Sequence, residues 1–188
     1  MRLFTKWVGL SIGVFITTLT WAQQWVVTTA TDGQGIYGIK GIPSAENSPG
    51  KRIGAASCTD KNGNLWLYGG GTDGNNLGDL WRFDVSTYQW TWESGSNLPN
   101  RAANHGTKGV ASTENFPGGR VGHTLWADND GNLWLYGGSR PLADDFATSM
   151  IIGNDLWKYN PTAKTWTWMH GSNQTVQSAN KAIYGTLG

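Results

Sequence analysis

A single cysteine, Cys58, in 188 residues excludes an intrachain disulfide framework. Charge is sparse and balanced, with 14 basic residues against 13 acidic ones. No basic stripe or tail offers itself to a phosphate backbone, which excludes nucleic acid as a partner. Histidine is also scarce: His105, His123 and His170 show no metal-ligand spacing. A G-x-S-x-G elbow and a P-loop lysine are both missing, so neither an esterase-type nucleophile nor a nucleotide site is indicated.

Long apolar runs are lacking too. The one stretch that approaches such a run, Trp7 to Leu19, is too short to span a bilayer comfortably. Arg2 and Lys6 precede it and Thr20-Trp21-Ala22 follows, which reads as a secretory signal peptide over residues 1–22, cleaved after Ala22. The expectation is a secreted, periplasmic or cell-surface protein with no membrane span after cleavage. Twelve basic and thirteen acidic residues then leave a net charge of −1.

What the chain has in quantity is tryptophan, glycine and self-similarity. GNLWLYGG runs from Gly63 to Gly70 and returns from Gly131 to Gly138. GDLWRFDVSTYQWTWESGSN, from Gly78 to Asn97, returns as NDLWKYNPTAKTWTWMHGSN, from Asn154 to Asn173. A front part matches as well, with Tyr37 against His105, Arg52 against Arg120 and Cys58 against Trp126. Each copy is one supersecondary unit that buries its core by stacking on the next. The units run over about residues 37–97 and 105–173, and a third opens at Tyr184. Trp25 stands before the first unit as Trp92 stands before the second, which predicts a stray strand there. The framework repeats after 68 residues before the double glycine and after 76 beyond it, so one elastic segment separates them. It is GTDGNNLG in the first unit and SRPLADDFATSMIIGN in the second, and a segment of this kind is where a scaffold presents a variable surface.

The repeat reads as strands. Leu65 to Tyr68, Leu80 to Phe83 and Gln89 to Trp92 are short, aromatic-rich or alternating, and Val121 to Ala127 supplies a first strand. Asp60 to Asn64 and Asp128 to Asn132 are hairpin turns in which glycine takes a positive φ. The glycine position and the missing closing glutamate exclude an EF-hand loop there. Four short antiparallel strands per unit, repeated radially, make β-propeller blades. Both the elastic segment and the long stretch Glu93 to Gly119 then rim one face. Trp81 and Trp157 are expected between sheets, Cys58 as a small buried hydrophobe, Asp79 and Asp155 as turn caps, and Arg52 and Arg120 as braces between blades.

The double glycines Gly69-Gly70 and Gly137-Gly138, the runs Asp79 to Phe83 and Asp155 to Tyr159, and the spaced Trp90 and Trp166 resemble the kelch family of β-propellers. The likeness is to its long-period bacterial form, grouped with the central domain of galactose oxidase, and it covers residues 25–188. The family's R-x-x-H start is present at Arg120 and His123, while Ala55 departs from it in the first unit. The resemblance implies an all-β fold: two complete blades plus partial strands over a propeller segment 23–188. A propeller needs about four blades or more, so this chain alone does not close the ring. Missing blades or self-association are expected to cover the open faces.

For function the resemblance implies a non-catalytic recognition scaffold for protein or carbohydrate. Its candidate ligand-binding residues are Asn75, Asn76, Arg140, Asp144, Asp145 and Phe146 in the two elastic segments. The alternative is part of a propeller enzyme similar to galactose oxidase or the kelch-type sialic acid epimerases, its active site outside this segment. The oxidase pattern needs copper held by tyrosines and histidines, with one tyrosine joined to a cysteine. Cys58 lies in a predicted core strand, so no catalytic residue, metal or cofactor is assigned.

Overall fold

The computed structural model describes residues 34–141 and 150–173. The expected signal peptide, the expected strand at Trp25, the expected third unit at Tyr184 and the candidates Asp144, Asp145 and Phe146 lie outside the described residues.

Ten strands are formed among the described residues. β1 (Ala56–Thr59), β2 (Leu65–Thr72), β3 (Asn75–Asp84) and β4 (Gln89–Ser96) make one antiparallel sheet in chain order. β5 (Thr124–Ala127), β6 (Leu133–Tyr136), β9 (Leu156–Asn160) and β10 (Thr165–His170) make a second. β7 (Ser139–Pro141) and β8 (Met150–Ile152) form a ribbon between β6 and β9, in the elastic segment. The protein is all-β, and its two four-stranded sheets resemble propeller blades that are not closed into a ring. They are called blade 1 and blade 2 below.

The β1–β2 and β5–β6 turns show how the sequence fixes register. Asp60 Oδ1 accepts from the backbone N–H groups of Asn62 and Asn64, at 2.9 and 3.0 Å, and Oδ2 accepts from Trp66 Nε1 at 2.9 Å. Asp128 Oδ2 accepts from Trp134 Nε1 at 2.8 Å in the same way. One carboxylate thus ties the turn to the first tryptophan of the next strand. On the outer side, residues 36–48 and 104–116 cover the edges of β4 and β10, bridging Ser44 to Trp90 and Ser112 to Trp166. Asn47 and Asn115 pin these wraps by donating to the carbonyls of Trp90 and Trp166, at 2.9 and 3.1 Å. Sheet edges that would invite aggregation are covered.

The core lies between the blades. Blade 1 contributes Trp66, Tyr68 and Leu80; blade 2 contributes Leu125, Leu133, Leu135, Trp157, Tyr159, Trp166 and Trp168. Each large side chain buried there stabilises the pair by roughly 1.5–3 kcal/mol. Tyr68 Oη donates to Gly118 O at 2.9 Å across the joint, and Trp166 Nε1 to Ser94 Oγ at 3.2 Å.

The repeat provides an internal control for burial. Tyr68 is 0% exposed, but its counterpart Tyr136, on the far face of blade 2, is 49% exposed. Leu133 is 0% exposed, and its counterpart Leu65, on the far face of blade 1, is 41% exposed. Leu67, Phe83 and Trp90 are likewise half-buried where Leu135, Tyr159 and Trp166 are buried. Side chains shaped for a joint stand open on both outer faces.

Several expectations need correction. The first strand of blade 2 begins at Thr124, because Gly122 turns through φ 68° and leaves Val121 as a lone bridge to Ser139. Cys58 is half-buried against the core rather than enclosed, and burial, with Asp60 nearby, pushes its thiol up to about 11. Trp157 does pack between the sheets. Trp81 is buried instead on the far side of blade 1, 5.0 Å from the ring of Tyr37 in its own wrap. The double glycines sit where the backbone takes positive φ, 59° at Gly69 and 98° at Gly70. Gly69 makes room for the connection to the next blade, since a Cβ there would stand 2.8 Å from Arg120 O, while one on Gly70 would stand 2.9 Å from Ala55 Cβ of its own unit.

Gly69→Ala and Gly74→Ala separate those two constraints. Gly74 has φ 79° with nothing within 4 Å of an added Cβ. Gly74→Ala is expected to cost about 1 kcal/mol from φ alone, and Gly69→Ala about 3 kcal/mol or more, measured by urea unfolding. Equal losses would mean that close approach is not what Gly69 supplies.

Candidate functional site

Buried charge concentrates at two places, one per blade. Asp79 on β3 is fully buried and accepts from both terminal nitrogens of Arg52, at 2.8 and 3.1 Å. The same carboxylate accepts from Tyr37 Oη and Trp81 Nε1, each at 2.7 Å. Arg52 donates further to Gly69 O at 3.0 Å and to Pro49 O. In blade 2, Asp155 accepts from Arg120 at 3.0 and 3.1 Å and from Trp157 Nε1 at 2.7 Å. Arg120 also donates to Gly137 O at 2.8 Å and to Pro117 O.

Asp79 and Asp155 therefore hold arginines and do not cap turns, which corrects the sequence expectation. A short carboxylate beside a tryptophan two residues away, opposite a planar guanidinium, suits bidentate pairing. Of the two arginines expected to brace the blades, Arg120 does so, while the Arg52 side chain bonds Asp79, Gly69 and Pro49 within its own unit. The Arg120 guanidinium serves blade 2, while its backbone N–H donates to Leu77 O at 3.0 Å and its carbonyl accepts from Gly70 N at 2.9 Å in blade 1.

The second hub is not a copy of the first. His105 replaces Tyr37, and its Nε2 stands 3.4 Å from Asp155 Oδ2, a looser contact than the tyrosine makes. Arg140 on β7, 3% exposed, brings its Nε to 3.9 Å from the same oxygen. Burial pushes the Asp155 carboxyl up, but Arg120, His105 and Trp157 together reverse this and hold it far below the usual carboxylate range. Burial lowers the Arg140 pKa, opposed by the charge of Asp155.

The elastic segments leave from equivalent positions, so they share one face of the pair. Residues 97–103 pass there too. Asn100 accepts from Asn76 N at 2.8 Å through Oδ1 and donates from Nδ2 to Asn75 Oδ1 at 2.9 Å. Of the predicted ligand residues, Asn75 and Asn76 thus tie the blade 1 hairpin to the inter-blade connection, and Arg140 ties the base of the blade 2 hairpin to its hub. Ile53 and Ile152 are the exposed apolar residues nearest these hairpins, at 80% and 70%.

On the outer rim, a cleft of about 680 Å³ runs between the blades, lined among others by Lys40, Trp92, Glu93, Glu114 and Lys164. Lys40 lies 4.3 Å over the Trp92 ring and donates to Gly95 O at 2.7 Å, so that ring is already covered. Glu93 is held by Arg82 at 2.8 Å and faces Lys164 of the other blade at 3.8 Å. Sequence reasoning missed these contacts. The recurrence of lysine at Lys40 and Lys108, the latter 5.2 Å over Trp168, was the signal that could have found the first. Among the described residues, no group of three or more His, Cys, Asp or Glu side chains is placed to hold a metal ion, and no helix is long and apolar enough to cross a membrane.

His123 gives a pH test. Its Nε2 lies 3.1 Å from Tyr68 O and its ring stands edge-on to Tyr68. Burial, then the charge of Arg120, lowers its pKa from 6.5 to about 4. The unfolded chain takes up this proton first, so His123 lowers stability as pH falls from 6.5 toward 4, by about 3 kcal/mol in total. Thermal melts of wild type and His123→Ala should converge or cross over that range, since Ala55 shows that alanine suits the repeat at this position. Parallel curves would mean that His123 is not held neutral.

No family model matches the chain, and no curated protein matches it. Among solved structures the chain is similar to a fungal alcohol oxidase of the AA5 family in complex with copper, at 17% identity and a TM-score of 0.37. The match covers 63% of this chain and 19% of that one.

Proposed function

We propose that these two blades are the supporting and ligand-presenting part of a larger propeller. The observation that carries this reading is the fate of the buried carboxylates. Asp79, Glu93 and Asp155 are each paired with an arginine that also holds the fold together. Asp79 and Asp155 are fully buried among their partners, and Glu93, which lines the rim cleft, is held there by Arg82. The largest difference between the units is the hairpin, lengthened by eight residues in blade 2. A binding surface on a rigid scaffold is varied in this way.

In this reading Asn75, Asn76 and Arg140 fix the hairpins, and Asp144, Asp145 and Phe146 meet the ligand, a protein or a carbohydrate. Carboxylates accept sugar hydroxyls or pair with basic side chains, and an aromatic ring supplies a stacking face. The leader read in residues 1–22 supports a secreted, periplasmic or cell-surface location.

A second reading is favoured by the open outer faces. They call for further blades, and a propeller enzyme could hold its active site in those. Copper or other redox chemistry would then depend on residues beyond the described ones.

A glycan array and a panel of extracellular proteins, probed with the full chain, test the first reading. Asp144→Ala/Phe146→Ala should weaken any binding at least about tenfold with an unchanged melt. Binding that survives this double change would move the ligand site away from the blade 2 hairpin.

A further inference from the structure

The two open faces are the two halves of a joint that occurs once inside the chain. The far face of blade 2 carries Trp134, Tyr136 and Leu156 where blade 1 presents Trp66, Tyr68 and Leu80 to the joint. The far face of blade 1 carries Leu65, Leu67 and Trp90 where blade 2 presents Leu133, Leu135 and Trp166.

Two of the differences between the inner joint and the outer faces fall on facing positions. Inside, small Cys58 on β1 faces the strand that carries Leu125. On the outer faces Trp126 stands for Cys58 and Ser57 for Leu125, so the bulk moves to the other side. Inside, Glu93 pairs with Lys164. Outside, their counterparts are Met169 and Tyr88, and both charges are lost together. Glu93 is also held by Arg82 at 2.8 Å and Lys164 is half-exposed, so this pair lies at the rim of the joint. The cross-joint bond from Tyr68 to Gly118 O keeps both groups, as Tyr136 and Gly50.

We infer that a second copy of this chain docks head to tail, the trailing face of its blade 1 on the leading face of blade 2. This deepens the reading of the pair as part of a larger propeller by naming the source of the missing blades. The joint is heterologous, so it repeats until a ring closes. Propellers hold four to eight blades, which corresponds to two, three or four copies.

One end of the joint is wider than the inner one. A Cβ on Gly78 would lie 2.8 Å from the Gly119 backbone nitrogen, and the counterparts of this close-set pair are Asn154 and Lys51. The copies therefore stand further apart at the hairpin face than blades 1 and 2 do.

Two exposed positions test this without disturbing the fold: Tyr136 on the leading face and Leu65 on the trailing face. By analytical ultracentrifugation, the full chain should run as one discrete species of two, three or four copies. Tyr136→Glu and Leu65→Glu should each run as monomers, because a carboxylate in the joint weakens it by about a hundredfold or more. Mixing the two should give a 1:1 dimer, since each retains the face that the other lacks. A monomeric wild type, an assembly or aggregate that either variant leaves intact, or a mixture that stays monomeric would overturn the inference. A monomer that still binds its glycan or protein ligand would leave the proposed function standing, with blades from another source.

Discussion

The buried arginine–aspartate pair is the interaction on which the rest depends. In each unit it joins an arginine four residues before the first strand to an aspartate within or just before a later strand of the same sheet, Asp79 in β3 and Asp155 before β9. Without the guanidinium, a carboxylate would lie in the interior with no cation paired to it, beside the indole N–H and, for Asp79, the Tyr37 hydroxyl. Without the carboxylate, a guanidinium would be buried with carbonyls alone, which is costly. Such pairs add little over a well-packed apolar substitute, but they reject alternatives. Only one register of β2 on β3 brings Arg52 to Asp79, so the pair selects the blade from among nearby slips of a strand.

From this constraint the joint follows. The second arginine is a side chain of one blade's hub and a backbone partner of the other blade. Placing Arg120 against Asp155 thereby sets its N–H and C=O against Leu77 and Gly70. Tyr68, His123 and Trp166 close around that fixed point, and the apolar core fills what remains. The added Arg140 extends the same hub to the base of the long hairpin. Variation in that hairpin therefore begins from a fixed support.

Much of this was legible in the sequence, because repetition doubles each signal. The strands, the Asp-to-Asn turns and the double glycines showed themselves twice. The Arg–Asp pairing did not. Its partners are 27 residues apart in one unit and 35 in the other, since the elastic segment lies between them. A pattern with a variable gap is hidden from spacing. The wraps were invisible for a different reason: residues 36–48 have no alternation, and their order comes from one asparagine side chain reaching backbone carbonyls. Arg140 read as a surface residue because arginine is seldom buried without a partner. Nothing in the local sequence showed that Asp155 would draw it inward. For Asn75 and Asn76, polarity concealed a structural role, as their partner Asn100 belongs to the connection to the next unit.

The central claim is that each hub acts as one unit. A double-mutant cycle on Arg120→Met and Asp155→Leu, read by urea unfolding, tests it most directly. The account predicts that each single change costs about 3–5 kcal/mol and that the double change costs far less than their sum, a coupling of about 2–3 kcal/mol. Additive losses would contradict it, and the joint would then be held by its apolar core alone.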